Sequence, residues 1–265
     1  MQARIRYLAI VANDPAALAR YYAIYFGLWL LGESSDGDVS MTDGFYNLSL
    51  LKRRPELGEP GLDRFGIEVD DLGELERRLA EAAPDVGLER EPGGLQHGEH
   101  RLRDPNGLPI SISTHGFGVE HEWHRLPSIR HVALSVPNND VALDFYVRVF
   151  GFRATTSNDR YLAQVPPVTA RMAGDGSTAL AILPEPALLD EGPDGHRKAG
   201  LNHFGFLVED TEAVRRRLPV GSVRKRPANR PFAEYRVVDP KGNQFDISAE
   251  AGFEVDRGVW ARAPR

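Results

Sequence analysis

Cysteine is absent from the 265 residues. Its absence excludes disulfides, thiolate metal sites, cysteine-ligated iron–sulfur clusters and a cysteine nucleophile, and it agrees with a reducing compartment. An excess of positive charge is missing too. Lys and Arg number 32 against 38 Asp and Glu, a formal net charge of −6, so there is no electrostatic reason to expect nucleic acid as a partner. No apolar run approaches the roughly 20 residues that cross a bilayer. The start, Met1-Gln2-Ala3-Arg4-Ile5-Arg6, passes into a strand pattern without an apolar signal core; the expectation is a cytoplasmic protein with no membrane partner. No glycine-rich phosphate loop follows a strand and no Gly-x-Ser-x-Gly elbow occurs, which leaves nucleotide and serine-hydrolase chemistry without support.

What the chain does contain is the composition of a soluble protein with a full-sized core, 42% hydrophobic and 26% charged, and an internal duplication. Arg6-Tyr7-Leu8-Ala9-Ile10 matches Arg130-His131-Val132-Ala133-Leu134, and Phe26-Gly27 matches Phe150-Gly151, both at an offset of 124. Phe65-Gly66-Ile67-Glu68-Val69-Asp70-Asp71 matches Phe204-Gly205-Phe206-Leu207-Val208-Glu209-Asp210 at 139, and Asp104-Pro105-Asn106-Gly107 matches Asp239-Pro240-Lys241-Gly242 at 135. Three anchors in one order imply a repeated unit of roughly 120 residues. The expected organisation is an N-terminal unit over 1–116, a linker over 117–127, a C-terminal unit over 128–250 and a tail over 251–265.

Each unit opens with an apolar, β-branched run, Ile5 to Val11 or Ile129 to Val136, that reads as a strand. Asp14 with Pro15, and Asn138 or Asn139, are placed to cap a following helix that Gly27 or Gly151 stops. Short strands follow, at Leu48 to Leu51 and Leu180 to Leu183. Then come a second long strand from Phe65 or Phe204, a helix capped by Asp70 or Asp71 or by Asp210, and a hairpin through Asp-Pro-x-Gly. The pattern predicts an α+β fold with helices on one face of a mixed sheet.

Period-two alternation then sorts the side chains. Val132, Leu134 and Val136 share one face of their strand, and His131, Ala133 and Ser135 the other. Phe204, Phe206 and Val208 oppose His203 and Gly205; Phe245 and Ile247 oppose Gln244, Asp246 and Ser248. His131, His203 and Asp246 thus fall on the faces that do not pack on helices. Two neutral imidazoles and one carboxylate form the facial triad that holds non-haem iron(II) and leaves coordination positions open. A lone strand histidine is ordinarily a satisfied or solvent-facing side chain, but here three ligand types coincide with positions the repeat marks. Their counterparts in the N-terminal unit are Tyr7, Arg64 and Ser111, of which Arg64 brings a fixed positive charge and Ser111 is a poor ligand.

The segments Ile129 to Val136, Leu201 to Asp210 and Asp239 to Asp246 resemble the signature of the vicinal oxygen chelate superfamily, also called the glyoxalase/bleomycin resistance/extradiol dioxygenase superfamily. The resemblance runs through both units and implies tandem βαβββ modules forming curved mixed sheets around a cavity, with helices outside. Placing all ligands in the C-terminal unit is similar to the type I extradiol dioxygenases. It implies His131, His203 and Asp246 as ligands of Fe(2+), with Mn(2+) or another divalent ion as alternatives. The family's carboxylate is normally Glu; here Asp is one methylene shorter. No histidine stands in Thr178-Ala179-Leu180-Ala181, where ring-cleaving members carry one, and Arg236 stands at their tyrosine position. His196, Tyr235 and Arg236 are the candidates for catalytic groups, and Ser135 and Gln244 for substrate contacts. Of the remaining histidines, His115, His121 and His124 read as solvated linker groups, and His97 and His100 lack a carboxylate partner.

The expected function is a metal-dependent enzyme on a small-molecule substrate, foremost an extradiol-type dioxygenase taking O2 and a catechol-like aromatic. A glyoxalase-type lyase or isomerase is the alternative, followed by a non-catalytic binder of a small molecule. The tail carries Phe253, Val255, Val259 and Trp260, suited to covering the cavity or to packing on a second subunit of a homo-oligomer.

Overall fold

In the computed structural model, residues 1–91, 97–120, 125–155, 170–184, 199–227 and 233–250 are described. The N-terminal unit runs β1 (Ala3–Ala12), α1 (Pro15–Phe26), β2 (Trp29–Glu33), β3 (Val39–Thr42) and β4 (Asn47–Lys52). It continues with β5 (Gly61–Val69), α2 (Leu72–Ala82), β6 (Glu89–Arg90), β7 (His100–Arg103) and β8 (Pro109–Ser113). The C-terminal unit repeats the order: β9 (Ser128–Val136), α3 (Asn139–Phe150), β10 (Arg153–Thr155), β11 (Arg171–Gly174), β12 (Ala179–Pro184), β13 (Gly200–Leu207), α4 (Thr211–Arg217), β14 (Val223–Lys225), β15 (Tyr235–Val238) and β16 (Gln244–Ser248). Each unit therefore makes the βαβββ pass twice.

The two 8-stranded sheets have matching orders, β2-β3-β4-β1-β5-β8-β7-β6 and β10-β11-β12-β9-β13-β16-β15-β14. At each centre the long strands run antiparallel, β1 with β5 and β9 with β13, flanked by parallel β4 and β8 or β12 and β16. Bulges interrupt the central pairs at the same places in both units. Arg6 and Arg130 are the extra residues on the first strands; Asp63 and Asn202 are extra on the second. A bulge resets the alternation, which is why Ile129 and Val132 both face the core while His131 begins the opposite row.

The helix boundaries follow from capping chemistry. Asp14 Oδ1 accepts from Ala17 N at 3.0 Å, Asp71 from Glu74 N at 2.9 Å and Asp210 from Ala213 N at 3.0 Å. Of the two asparagines before α3 it is Asn138 that caps, accepting from Val141 N at 3.1 Å. Gly27 and Gly151 end their helices with φ of 65° and 73°, a conformation that costs glycine least.

Helices α1 and α3 cover their own sheets and also wedge against the other unit. Phe26 stacks on Phe206 with ring centroids 4.3 Å apart, and Tyr22 packs on Phe204 and Phe245. Each such ring contributes roughly 2–3 kcal/mol by leaving water. Reciprocal hydrogen bonds lock the pair: Tyr22 Oη donates to Asp239 Oδ2 and Tyr146 Oη to Asp104 Oδ2, both at 2.9 Å. Those same aspartates shape the two Asp-Pro-x-Gly turns by accepting from backbone N–H groups with Oδ1. Asp175 Oδ2 accepts from Ile5 N at 2.6 Å, and Asp43 Oδ2 accepts from Ile129 N at 2.8 Å. One hydrophobic core consequently spans both units.

At the expected boundary between the N-terminal unit and the linker, Gly116–Gly118 forms a 3-10 turn, and Phe117 enters the N-terminal unit with φ of 54°. Among the described residues no helix is long and apolar enough to cross a membrane.

Candidate metal centre

His131 lies on β9, His203 on β13 directly beside it, and Asp246 on β16 beside β13. Strand adjacency thus brings residues distant in sequence onto one helix-free face. One nitrogen from each imidazole and one Asp246 oxygen all lie within 4.8 Å of one another, the one such cluster of three potential ligands among the described residues. The imidazole rings meet edge to face with centroids 5.0 Å apart.

The surroundings set the charge state of these groups. Burial, then the neighbouring His203, pushes the His131 imidazole down to about 3, so it is neutral with a lone pair at ordinary pH. Burial alone would raise the Asp246 carboxyl, but His203 and Arg236 outweigh it and hold the group well below the usual carboxylate range. His203 Nδ1 lies 2.6 Å from Asn202 Oδ1. A carbonyl oxygen can only accept, so Nδ1 carries the hydrogen and Nε2 of the neutral ring presents its lone pair. Nε2 lies 3.2 Å from Asp246 Oδ2. With a proton on Nε2 the two groups form a charged hydrogen bond; without one they are two acceptors that a shared cation would bridge, and two ligands at right angles on a first-row ion stand about 3 Å apart. The donor set therefore fits a divalent metal.

Two supporting residues escaped the sequence reading. Asn202 is the bulge residue before His203 and fixes its tautomer, the outer-shell role that tunes metal-binding histidines. Gly205 pairs with His131, and a Cβ there would sit 2.3 Å from His131 Nδ1; only glycine leaves room for the ring. The Gly205–His131 pairing was inferable from strand register, and the Asn-His dipeptide was in plain view.

The other predicted residues divide. Arg236, opposite Asp246 in register, donates from Nε to Oδ1 at 2.5 Å and from Nη2 to Oδ2 at 3.1 Å, with both side chains 2% exposed. Gln244 Oε1 accepts from Arg236 Nη1 at 2.8 Å. Ser135 is fully buried on the His131 face, and its hydroxyl has no hydrogen-bond partner among the described residues. Tyr235 requires correction. It sits opposite Ile247, on the core face of β15, and its hydroxyl donates to Glu212 on α4; alternation puts it on the reverse side from Arg236. His196, His121, His124 and the tail over 251–265 lie outside the described residues. His97 contacts Arg64 Nη2 at 2.8 Å, a cationic neighbour that disfavours a metal there.

Beside the triad, Ala133, Ala181 and Leu183 with Ala170 form a small apolar floor, in register with the His131 row.

A profile of the Glyoxalase/Bleomycin resistance protein/Dioxygenase superfamily matches residues 128–247, the unit that carries the triad. Residues 128–247 belong to this superfamily. Solved structures place the whole chain in the corresponding tandem fold. A Mn(II)-bound glyoxalase from Novosphingobium aromaticivorans is 21% identical, with 96% of this chain and 83% of that one covered and a TM-score of 0.68. The 2,3-dioxygenase LapB from Pseudomonas sp. KL28 is 18% identical, with 94% and 93% covered and a TM-score of 0.66. An extradiol ring-cleaving dioxygenase from B. fuscum is 18% identical, with 96% and 73% covered and a TM-score of 0.60. At these identities the likeness shows the fold.

Proposed function

We propose that the chain is a vicinal oxygen chelate enzyme of the extradiol type, oxidising a catechol-like aromatic with O2 at iron(II) held by His131, His203 and Asp246. The supporting observation is that two histidines and a carboxylate converge within one unit beside an apolar floor of small side chains. A divalent ion bound there would gather vicinal oxygens and O2 at one centre and lower the pKa of the substrate hydroxyls. The protein's own groups do the rest. Asn202 keeps His203 in the binding tautomer, and Gly205 admits the His131 ring. Ala133, Ala181 and Leu183 give an aromatic ring a dry surface. The Ser135 hydroxyl, without a hydrogen-bond partner among the described residues, is placed to donate a hydrogen bond from that floor, since an unmet buried hydroxyl costs roughly 1–3 kcal/mol.

The test is anaerobic loading with iron(II), then admission of O2 with a panel of catechols. Uptake of one O2 per catechol consumed is expected; no uptake across the panel by iron-loaded protein overturns the reading.

A second reading, a glyoxalase-type lyase or isomerase, is favoured by one observation. Strand β15 turns Arg236 toward Asp246 and turns Tyr235 away toward Glu212, so no tyrosine acid–base group from that strand meets the triad. Exchange of substrate protons in deuterated water without O2 distinguishes the two.

A further inference from the structure

We infer that Arg236 sets the charge of the ligand this site accepts, weakening the hold on a bare divalent ion and selecting vicinal-oxygen chelators that carry two negative charges. The inference rests on the metal-site reading above.

The guanidinium forks onto both oxygens of Asp246 and extends Nη1 to Gln244. Arginine cannot shed its charge in a protein, so the sole carboxylate of the triad is already matched by a cation. A divalent ion on two neutral imidazoles and an unmatched carboxylate leaves one positive charge over, which a singly ionised catechol cancels. With Arg236 present, two remain. In a site largely shielded from water such an imbalance is costly, and a ligand bringing two negative charges removes it. That class is the catechol bearing a ring carboxylate, which brings one charge from the singly ionised diol and one from the carboxylate.

The duplicated unit supplies a control within the same molecule. Arg101 occupies the matching position on β7, opposite Ser111 rather than a carboxylate. It turns outward to Glu89, with Nη2 2.8 Å from Oε2 and the side chain 53% exposed. The buried arginine thus accompanies the carboxylate ligand and is not a requirement of the strand.

The experiment is calorimetric titration of the full chain and of Arg236→Met and Arg236→Lys, first with Mn2+ alone, then of the Mn2+-loaded proteins with catechol and with a ring-carboxylated catechol. Arg236→Met is expected to bind Mn2+ at least about tenfold more tightly than the parent, since a like charge close by is removed. The parent should prefer the carboxylated catechol at least about tenfold, a preference kept by Arg236→Lys and lost in Arg236→Met. Mn2+ binding that is unchanged or weaker in Arg236→Met, or a parent indifferent to the carboxylate, overturns the inference while leaving the metal site standing. If Arg236→Met does not fold, the parent's preference and its retention in Arg236→Lys decide. Failure of parent and variants alike to bind Mn2+ sinks the metal-site reading itself.

Discussion

The helix-free faces of the two units are built on one strand plan and filled in opposite ways. In the N-terminal unit Tyr7 stands where His131 stands in the other, and the ring of Phe117 stacks on it at 4.7 Å. Val11, Leu51 and Leu57 close around them, and Arg64 ties across to His97 and Glu91. In the C-terminal unit the matched positions hold Ser135 for Val11 and Ala181 for Ser49, and the described residues place no aromatic ring over His131 comparable to Phe117. Even the glycines correspond. A Cβ on Gly66 would strike Phe117 Cζ at 2.6 Å, as one on Gly205 would strike His131. Close packing of rings against strands is thus a property of the scaffold; whether the ring is sealed under a plug, as Tyr7 is, or faces its neighbours as His131 does, depends on a few side chains. Duplication lets one copy serve as structural support while the other is free to specialise.

The largest expected effect tests the plug. Phe117→Ala empties the N-terminal face and should cost about 3–5 kcal/mol in denaturant unfolding, the range for deleting a buried Phe, with Mn2+ affinity at the triad unchanged. A change in that affinity would show that the two faces are coupled, not merely parallel. Next, Gly205→Ala forces the His131 ring aside and should weaken Mn2+ binding about a hundredfold. The matched Gly66→Ala should cost roughly 1–3 kcal/mol of stability by overpacking and leave metal binding alone. If Gly205→Ala binds Mn2+ like the parent, His131 is not a ligand. Asn202→Ala sharpens the comparison further, because Asp63 holds the same bulge position in the N-terminal unit. Loss of the tautomer-fixing partner should reduce Mn2+ affinity about 10–100-fold, the usual range for outer-shell groups, with the fold intact by circular dichroism.

How much of this was legible without coordinates depended on the kind of signal. Helix caps, the Asp-Pro-x-Gly turns and the repeat offsets are local, so α1, α3 and the central strands emerge close to their observed limits. Alternation put His131, His203 and Asp246 on one face because it was counted forward from each residue, and the bulges at Arg130 and Asn202 fall just before His131 and His203. Bulges are another matter. Arg130 and Asn202 are extra residues in their pairs, and nothing in a single strand's pattern reveals an extra residue. The choice between Tyr235 and Arg236 likewise turned on one step of register, settled by the pairing of Arg236 with Asp246. Phe117 lay hidden because a ring in a linker carries no period to read. The two-residue strand β6 gives no alternation at all.

The smallest effects probe the symmetry of the joint. Burial, reinforced by Asp239 for Tyr22 and by Asp104 for Tyr146, holds both phenols well above their ordinary value of 10.0. Below pH 10 they are protonated in folded and unfolded chains alike. Above it the unfolded chain loses those protons and the folded one keeps them, so the unfolded state binds fewer protons and stability falls as pH rises. Tyr22→Phe and Tyr146→Phe should each cost about 1 kcal/mol at pH 7, the net worth of one such hydrogen bond, and the double variant should lose part of its alkaline sensitivity. Equal costs are expected because the two bonds are equal in length and in burial. A markedly larger cost for one would mean that the joint is held from a single side, and that the likeness of the two units stops at their strand order.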